Sequence, residues 1–280
     1  MPGTVPAHPL VEVADGVHVA TSAVYATTST VVVGGDGSCL VVDPGVTARE
    51  VADLSAAVRA HGWRPVAVWS THDHWDHALD GHGLRDLPRW AAWVQQPDWV
   101  GAARAARDGD DELAAYVRAH PGQRGADLVH APPMPPPLTD DAPAPGTGWA
   151  LLDWDGREVR VLTHAAHAAG HTALHVADAA VLLAGDLLSD VEIPLLDVDA
   201  ADPVGDYTAT LDRIDALDDV RVVVPGHGAV GDGPELARRL AADRRYLDRL
   251  VEVGAGADDP RLTAPWLTHA HHRQAAATRA

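Results

Sequence analysis

The sequence predicts a mixed α+β fold, one large domain built in two halves. Three observations predict it. Short apolar, β-branched runs recur along the chain and empty into loops rich in glycine, aspartate and histidine. A β-β-β-α-β order is legible in the first half and recurs more loosely after Trp149. The length of 280 residues suits one large domain with ample surface to bury a core.

Val17-His18-Val19-Ala20, Thr30-Val31-Val32-Val33 and Cys39-Leu40-Val41-Val42 read as the first strands, with Gly34-Gly35-Asp36-Gly37 as a hairpin turn. From Ala48 to His61, Val51, Leu54, Ala57 and Val58 fall at helical spacing, and Gly62 is the expected stop. Pro65-Val66-Ala67-Val68-Trp69-Ser70 is the next strand-like run. An insertion at about 97–148 follows. Its first part, Pro97 to His120, is mostly helical, with Trp99, Leu113, Tyr116 and Val117 apolar and Pro121-Gly122 as the stop. Its second part, Ala131-Pro132-Pro133-Met134-Pro135-Pro136-Pro137 and Asp140 to Gly146, is a stiff, extended connector. Two readings of the insertion stand: a surface linker, or a cap that shapes a pocket. A C-terminal helical tail runs at about 234–280, opening with a charged amphipathic helix from Pro234 to Val253 (Leu236, Leu240, Tyr246, Leu250).

The strand ending at Ser70 leads into Thr71-His72-Asp73-His74-Trp75-Asp76-His77, where His-x-His-x-Asp-His packs four potential metal ligands into six residues. In an extended backbone, residues two apart point to one side, so His72 and His74 are expected to bind one ion. Asp76 and His77 lie where the chain can turn into a helix and address a second. Further ligand types arrive after later strand-like runs: Val159-Arg160-Val161-Leu162 leads to Ala169-Gly170-His171-Thr172. Ala180 to Ala184 leads to Gly185-Asp186, and Val222-Val223-Val224 to Pro225-Gly226-His227-Gly228. Strand ends delivering His, Asp and His are what a rigid scaffold needs to present a site from its loops.

With these residues the chain resembles the metallo-β-lactamase superfamily, in its binuclear hydrolase branch, over most of its length. Val41-Val42-Asp43-Pro44-Gly45 is similar to the family's first motif, whose aspartate is structural. His-x-His-x-Asp-His is its second and highly specific motif. Gly170-His171-Thr172, with His175 following, resembles the Gly-His-Thr-x-Gly-His segment, with Leu174 in place of the second glycine. Gly185-Asp186 and Gly226-His227-Gly228 resemble the fourth and fifth motifs. The resemblance implies an αββα sandwich of two mixed β-sheets flanked by helices. It assigns His72, His74 and His171 to one metal, Asp76, His77 and His227 to a second, and Asp186 as the bridge. It also gives Asp76 a catalytic role in orienting the nucleophile. Two divalent ions are implied; these ligands suit zinc, and iron or manganese fit the same donor types. The implied chemistry is attack of metal-bound hydroxide on a small ester, lactone or thioester.

Composition and local departures narrow that reading. The balance of 21 basic and 40 acidic residues, −19 with histidines neutral, argues against nucleic acid as a partner and against a nuclease. A small-molecule substrate is expected. Asp186 stands where the true β-lactamases of the superfamily carry cysteine or serine. Leu187-Leu188-Ser189-Asp190 lacks the tyrosine typical of homoserine-lactone hydrolases. The chain has no lysine, which excludes the lysine-containing thioester-binding segment of glyoxalase II, despite the shared His74-Trp75-Asp76-His77. A mononuclear iron, sulfur dioxygenase-like oxidoreductase is the main alternative, and a non-catalytic metal-binding module the third.

The single Cys39 forms no internal disulfide, and Met1 to Pro6 lacks the features of a signal peptide. No apolar run reaches spanning length, so a cytoplasmic, non-membrane protein is expected. Absence of lysine, asparagine and phenylalanine points to a GC-rich bacterial genome. Other residues are read more plainly: Tyr25 as a loop residue or a flap over the pocket, Trp75 as pocket wall or packing, and Ser189, Asp190 and Glu192 as a polar loop or as support for the ligands. His82, His164 and His167 are read as surface or supporting histidines, and His269-Ala270-His271-His272 as exposed. Oligomeric state is not legible.

Overall fold

In the computed structural model, residues 8–81, 83–129, 131–253 and 258–278 are described; His82 and Met1 to Pro6 lie outside them. The chain divides into two compact units, residues 1–138 with 152–158 and residues 139–151 with 159–280. The boundary therefore falls inside the expected insertion.

The first unit carries β1 (Val11–Ala14), β2 (Val17–Thr21), β3 (Thr28–Val33), β4 (Ser38–Val42), α1 (Ala48–Ala60), β5 (Arg64–Trp69), β6 (Leu79–Asp80), β7 (Arg89–Trp90), α2 (Trp99–Asp108), α3 (Asp111–Ala119) and β8 (Asp127–Leu128). Its main sheet is ordered β1-β2-β3-β4-β5-β7. The first four strands are antiparallel neighbours, while β4–β5 and β5–β7 are parallel. β3 and β4 are almost wholly buried, as runs of Val, Cys and Leu dictate. α1 starts at a capping box between Thr47 and Glu50 and stops where Gly62 takes φ 76°.

The insertion is no loose linker. Trp99, Ala103, Leu113 and Leu128 belong to the first unit's core, beside Val51, Leu54 and Val68 of α1 and β5. The proline-rich stretch pairs too: Met134 N–H donates to Arg89 C=O (2.8 Å), and Ala91 N–H to Met134 C=O (3.0 Å).

The second unit holds β9 (Ala150–Leu151), β10 (Val159–His164), β11 (His171–Val176), β12 (Val181–Gly185), α4 (Pro203–Asp215), β13 (Val222–Pro225), β14 (Gly231–Asp232), α5 (Gly233–Val253) and α6 (Pro265–Ala277). Its sheet is ordered β14-β13-β12-β11-β10-β9, with β12–β13 the parallel pair. Apolar positions of α4, α5 and α6 (Tyr207, Leu211, Leu240, Leu250, Leu267) close its core over β11 and β12.

Each unit thus contains a mixed sheet with a parallel strand pair, β4/β5 and β12/β13. Parallel neighbours end at the same edge, so the loops leaving them start side by side. That topology places Asp43, the histidine cluster at 72–77, Asp186 and His227, while the Gly170-His171 motif opens β11 in the antiparallel hairpin with β10. Among the described residues, no helix is long and apolar enough to cross a membrane.

Candidate metal centre

In the first unit, β4 delivers Asp43 and β5 delivers Thr71 and the histidine cluster. Asp43 sits at φ 47°, a left-handed conformation that Asp tolerates better than most residues. The bend aims its carboxylate at the next strand's loop. Asp43 Oδ1 accepts from Thr71 N–H (2.9 Å), and Oδ2 accepts from the Thr71 hydroxyl (2.7 Å). His77 Nδ1 lies 3.0 Å from the same Oδ2. With Nδ1–H donated to the carboxylate, Nε2 of His77 keeps its lone pair, 3.6 Å from Asp76 Oδ2. This is the structural role expected of Asp43.

His72 and His74 come together as expected, though not on an extended strand. Residues 70–78 form a bent loop closed by a turn, in which His77 and Ala78 N–H both donate to His74 C=O at 3.2 Å. The turn does not continue into a helix. The rings of His72 and His74 meet edge-on at 4.7 Å, and their ligand nitrogens lie within 4.8 Å of each other. Ser70, Arg89 and Trp99 brace this loop. The Ser70 hydroxyl donates to His77 C=O (3.0 Å) and accepts from buried Arg89 (2.9 Å). Trp99 Nε1–H, from the insertion, donates to Asp73 C=O (2.8 Å). Trp75 packs into the core, and Tyr25 is half-buried with its hydroxyl on Asp110 (2.8 Å). Burial, and then Asp110, push that phenol well above its ordinary pKa.

In the second unit, β12 ends at Gly185 and delivers Asp186, while its parallel partner β13 ends at Pro225 and delivers His227. The two meet: His227 Nε2 lies 3.3 Å from Asp186 Oδ2. Ser189 and Asp190 hold the arrangement from behind, the Ser189 hydroxyl donating to His227 C=O (2.8 Å) and Asp190 Oδ1 accepting from Ala229 N–H (2.8 Å).

The histidine beside Asp186 is not the one expected. His171 is the first residue of β11, paired across the ladder with His164. Its Nδ1 lies 3.0 Å from His164 Nε2, and its Nε2 accepts from Asp186 N–H at 3.0 Å. Both ring nitrogens are turned to the protein, and the ring packs so closely on Gly185 that a Cβ there would collide with it. His171 therefore holds the backbone of Asp186. His167, in the loop between β10 and β11, takes the place expected of it: its Nε2 lies 3.3 Å from Asp186 Oδ2, while Nδ1–H donates to Leu195 C=O at 2.7 Å. A signal for this was present. Reading Gly170-His171 as the second Gly-His pair of Gly-His-Thr-x-Gly-His puts His167 on the first histidine and leaves no leucine in a glycine's place.

His164 is buried, and its pKa is pushed down to about 3, by burial first and then by the neighbouring His167 and Arg213. At the C-terminus, His269 and His272 are exposed as expected, but His271 is buried within α6, its Nδ1 3.1 Å from the Tyr246 hydroxyl.

Each unit therefore carries a group of metal-type donors: His72, His74, Asp76 and His77 in one, His167, Asp186 and His227 in the other. They fit a divalent cation. All are imidazole nitrogens or carboxylate oxygens, and in the second unit two Nε2 atoms converge on one carboxylate oxygen.

Residues 24–227 match the sequence profile of the metallo-beta-lactamase superfamily. Over 223 residues the chain is 26% identical to a hydroxyacylglutathione hydrolase of Ruegeria pomeroyi, across 79% of this chain and 72% of that protein. A stretch of 57 residues is 43% identical to a hydroxyacylglutathione hydrolase of Salmonella typhi, 20% of either chain. Among solved structures, TTHA1623 in a di-iron-bound form is similar with a TM-score of 0.55 and 25% identity, over 78% of this chain and 96% of that one. The DIM-1 metallo-beta-lactamase aligns with a TM-score of 0.55 at 15% identity, over 86% and 99%, a likeness of fold.

Proposed function

Because this chain belongs to the metallo-β-lactamase superfamily and is a hydrolase of that fold, we propose that it is a dinuclear metal-dependent hydrolase of a small thioester. Esters and lactones are the neighbouring substrate classes. The observation that carries the proposal is the convergence of His167 and His227 Nε2 on Asp186 Oδ2, each at 3.3 Å. A carboxylate flanked by two imidazoles would suit a ligand shared between cations. The family resemblance makes His72, His74, Asp76 and His77 of the first unit, and His167, Asp186 and His227 of the second, the residues that would hold the cations.

When bound, the two cations supply an acidified water as nucleophile and a Lewis acid for the substrate oxygen. The chain's own residues do the positioning. Asp43 fixes His77 through Nδ1, and His171 fixes the backbone of Asp186. Asp76, its Oδ2 3.6 Å from His77 Nε2, is the residue proposed to orient the nucleophile. Thioesters rank first because the relative of greatest coverage described above is a hydroxyacylglutathione hydrolase. The lysine-free sequence still argues against that enzyme's own mode of holding glutathione. Zinc is proposed as the resident metal, with iron the alternative, given the di-iron form of TTHA1623. With a formal charge of −19, neither nucleic acid nor an anionic membrane surface is a proposed partner.

The test is metal content and turnover of the full, untagged chain with exposed His269 and His272 replaced by alanine, so that the tail contributes no stray ion. About two zinc or iron ions per chain are expected, with hydrolysis of small thioesters that falls by two or more orders of magnitude in His72→Ala and Asp186→Ala. His167→Ala should lower metal occupancy, whereas His171→Ala should retain more of it. One iron per chain with oxygen consumption would replace this proposal with dioxygenase chemistry, and no retained metal would remove it.

A further inference from the structure

α6 carries one buried polar side chain aimed at the loop that follows Asp186. Gln274 is 3% exposed. Its Oε1 accepts from Leu196 N–H (2.8 Å), and its Nε2 donates to Pro194 C=O (3.0 Å) and to the Tyr246 hydroxyl (2.8 Å). The orientation of the amide follows from chemistry: Leu196 N–H only donates and Pro194 C=O only accepts, so the group cannot be flipped without breaking both bonds. Tyr246, having accepted, is left to donate to His271 Nδ1 (3.1 Å).

The two backbone groups that Gln274 grips flank Leu195, and the carbonyl of Leu195 is the acceptor of His167 Nδ1–H at 2.7 Å. A continuous chain of bonds thus runs from the C-terminal helix, through the backbone at 194–196, to the ring of His167. We propose that Gln274 is a positioning residue for His167. By clamping both sides of Leu195 it points that carbonyl at Nδ1, which keeps the proton there and leaves the Nε2 lone pair directed at Asp186 Oδ2. A donor's second nitrogen held in this way fixes ring orientation and tautomer, and such contacts govern affinity for a metal about 10–100-fold. The C-terminal helix then belongs to the metal centre rather than to the outer packing alone. The inference rests on His167 being a metal ligand.

The experiment compares zinc affinity, by competition with a chromophoric chelator, in the full-length protein and three variants at a temperature where circular dichroism shows all folded. His167→Ala tests the ligand itself and Gln274→Leu the clamp. Leu267→Ala removes a buried contact of the same helix without touching it. The expected result is zinc binding weakened at least tenfold in His167→Ala and in Gln274→Leu, and unchanged in Leu267→Ala despite a lower Tm. The downfield Nδ1–H resonance of His167 in metal-free protein should also broaden or vanish in Gln274→Leu. Unchanged affinity in Gln274→Leu alongside a loss in His167→Ala would overturn the clamp and leave the site standing; no loss in His167→Ala would overturn the ligand assignment on which it rests. Equal losses in Gln274→Leu and Leu267→Ala would reduce Gln274 to a packing residue. Should Gln274→Leu fail to fold, Gln274→Glu keeps the length and the acceptor for Leu196 but cannot donate to Pro194 when ionised. It must still weaken zinc binding, and wild-type affinity there would sink the proposal.

Discussion

Asp43 shows how one side chain organises a site it does not occupy. It takes three hydrogen bonds, from Thr71 N–H, the Thr71 hydroxyl and His77 Nδ1, and does so from a backbone conformation that disfavours most residues. Asp43→Asn keeps the size and the tolerance for positive φ but replaces one acceptor oxygen with a donor. Metal affinity is expected to fall about 10–100-fold, read by zinc titration, with a smaller stability loss than in Asp43→Ala, read by urea unfolding. At this scale much of the candidate site was legible. His72, His74, Asp76 and His77 declare themselves by spacing, since few sequences place such donors so densely without a use for them, while Asp186 and His227 follow from the family resemblance. His171 and His167 were not separable by type. The alternative alignment of Gly170-His171 already points to His167, and the ladder, which pairs His171 with His164 and leaves His167 in the loop, agrees with it. Ser70, Arg89 and Gln274 carried no local signal, because their roles are hydrogen bonds to backbone distant in sequence.

At the scale of elements, α1 is specified by its ends. The Thr47 hydroxyl accepts from Glu50 N–H (3.2 Å), and Glu50 Oε2 accepts from Thr47 N–H (2.7 Å) and Val46 N–H (3.1 Å), while Oε1 accepts from the Ser22 hydroxyl (2.8 Å). Thr47→Ala should cost about 1 kcal/mol in urea unfolding. Glu50→Ala should cost more, because it strands three buried donors instead of one, and neither change should alter activity per folded molecule. α1, the long α5 and the strands leading to each motif were readable from apolar spacing and from Gly62. α4 was missed although Asp202 and Pro203 mark its start and Tyr207, Leu211 and Ile214 its buried face. α6 had less to offer. Its N-cap position, Ala264, makes no side-chain cap, and its buried residues, Leu267, His271, Gln274 and Ala275, include two polar ones. Pro265 in its first turn is a local start signal, and α6 falls within the helical tail expected at about 234–280.

For the molecule as a whole, acid sensitivity is the expected property. His164 is folded in with its pKa pushed down to about 3, while an unfolded imidazole titrates near about 6.5. Between those values the unfolded chain binds a proton that the folded chain refuses. The resulting stability is therefore complete above about pH 6.5 and is lost as pH falls toward about 3. Metal-free protein should lose stability over that window, and His164→Gln should flatten the slope by up to about 1.4 kcal/mol per pH unit, one proton's worth. Urea unfolding as a function of pH checks this; an unchanged slope would show that His164 is not held neutral.

The fold class and the family are legible in the sequence, which also names a candidate donor set. Those reside in local patterns: strand-like runs of β-branched residues, a glycine or proline where the chain must turn, and His-x-His-x-Asp-His at one strand's end. Only the three-dimensional packing shows that His171 turns both ring nitrogens to the protein, that the insertion contributes Trp99 to the first unit's core, and that the C-terminal helix reaches the loop behind His167. The physical reason is the same in each case. A parallel strand pair or a buried amide joins residues far apart in the chain, and the free energy of such contacts depends on where backbone groups meet in space, which no local pattern records.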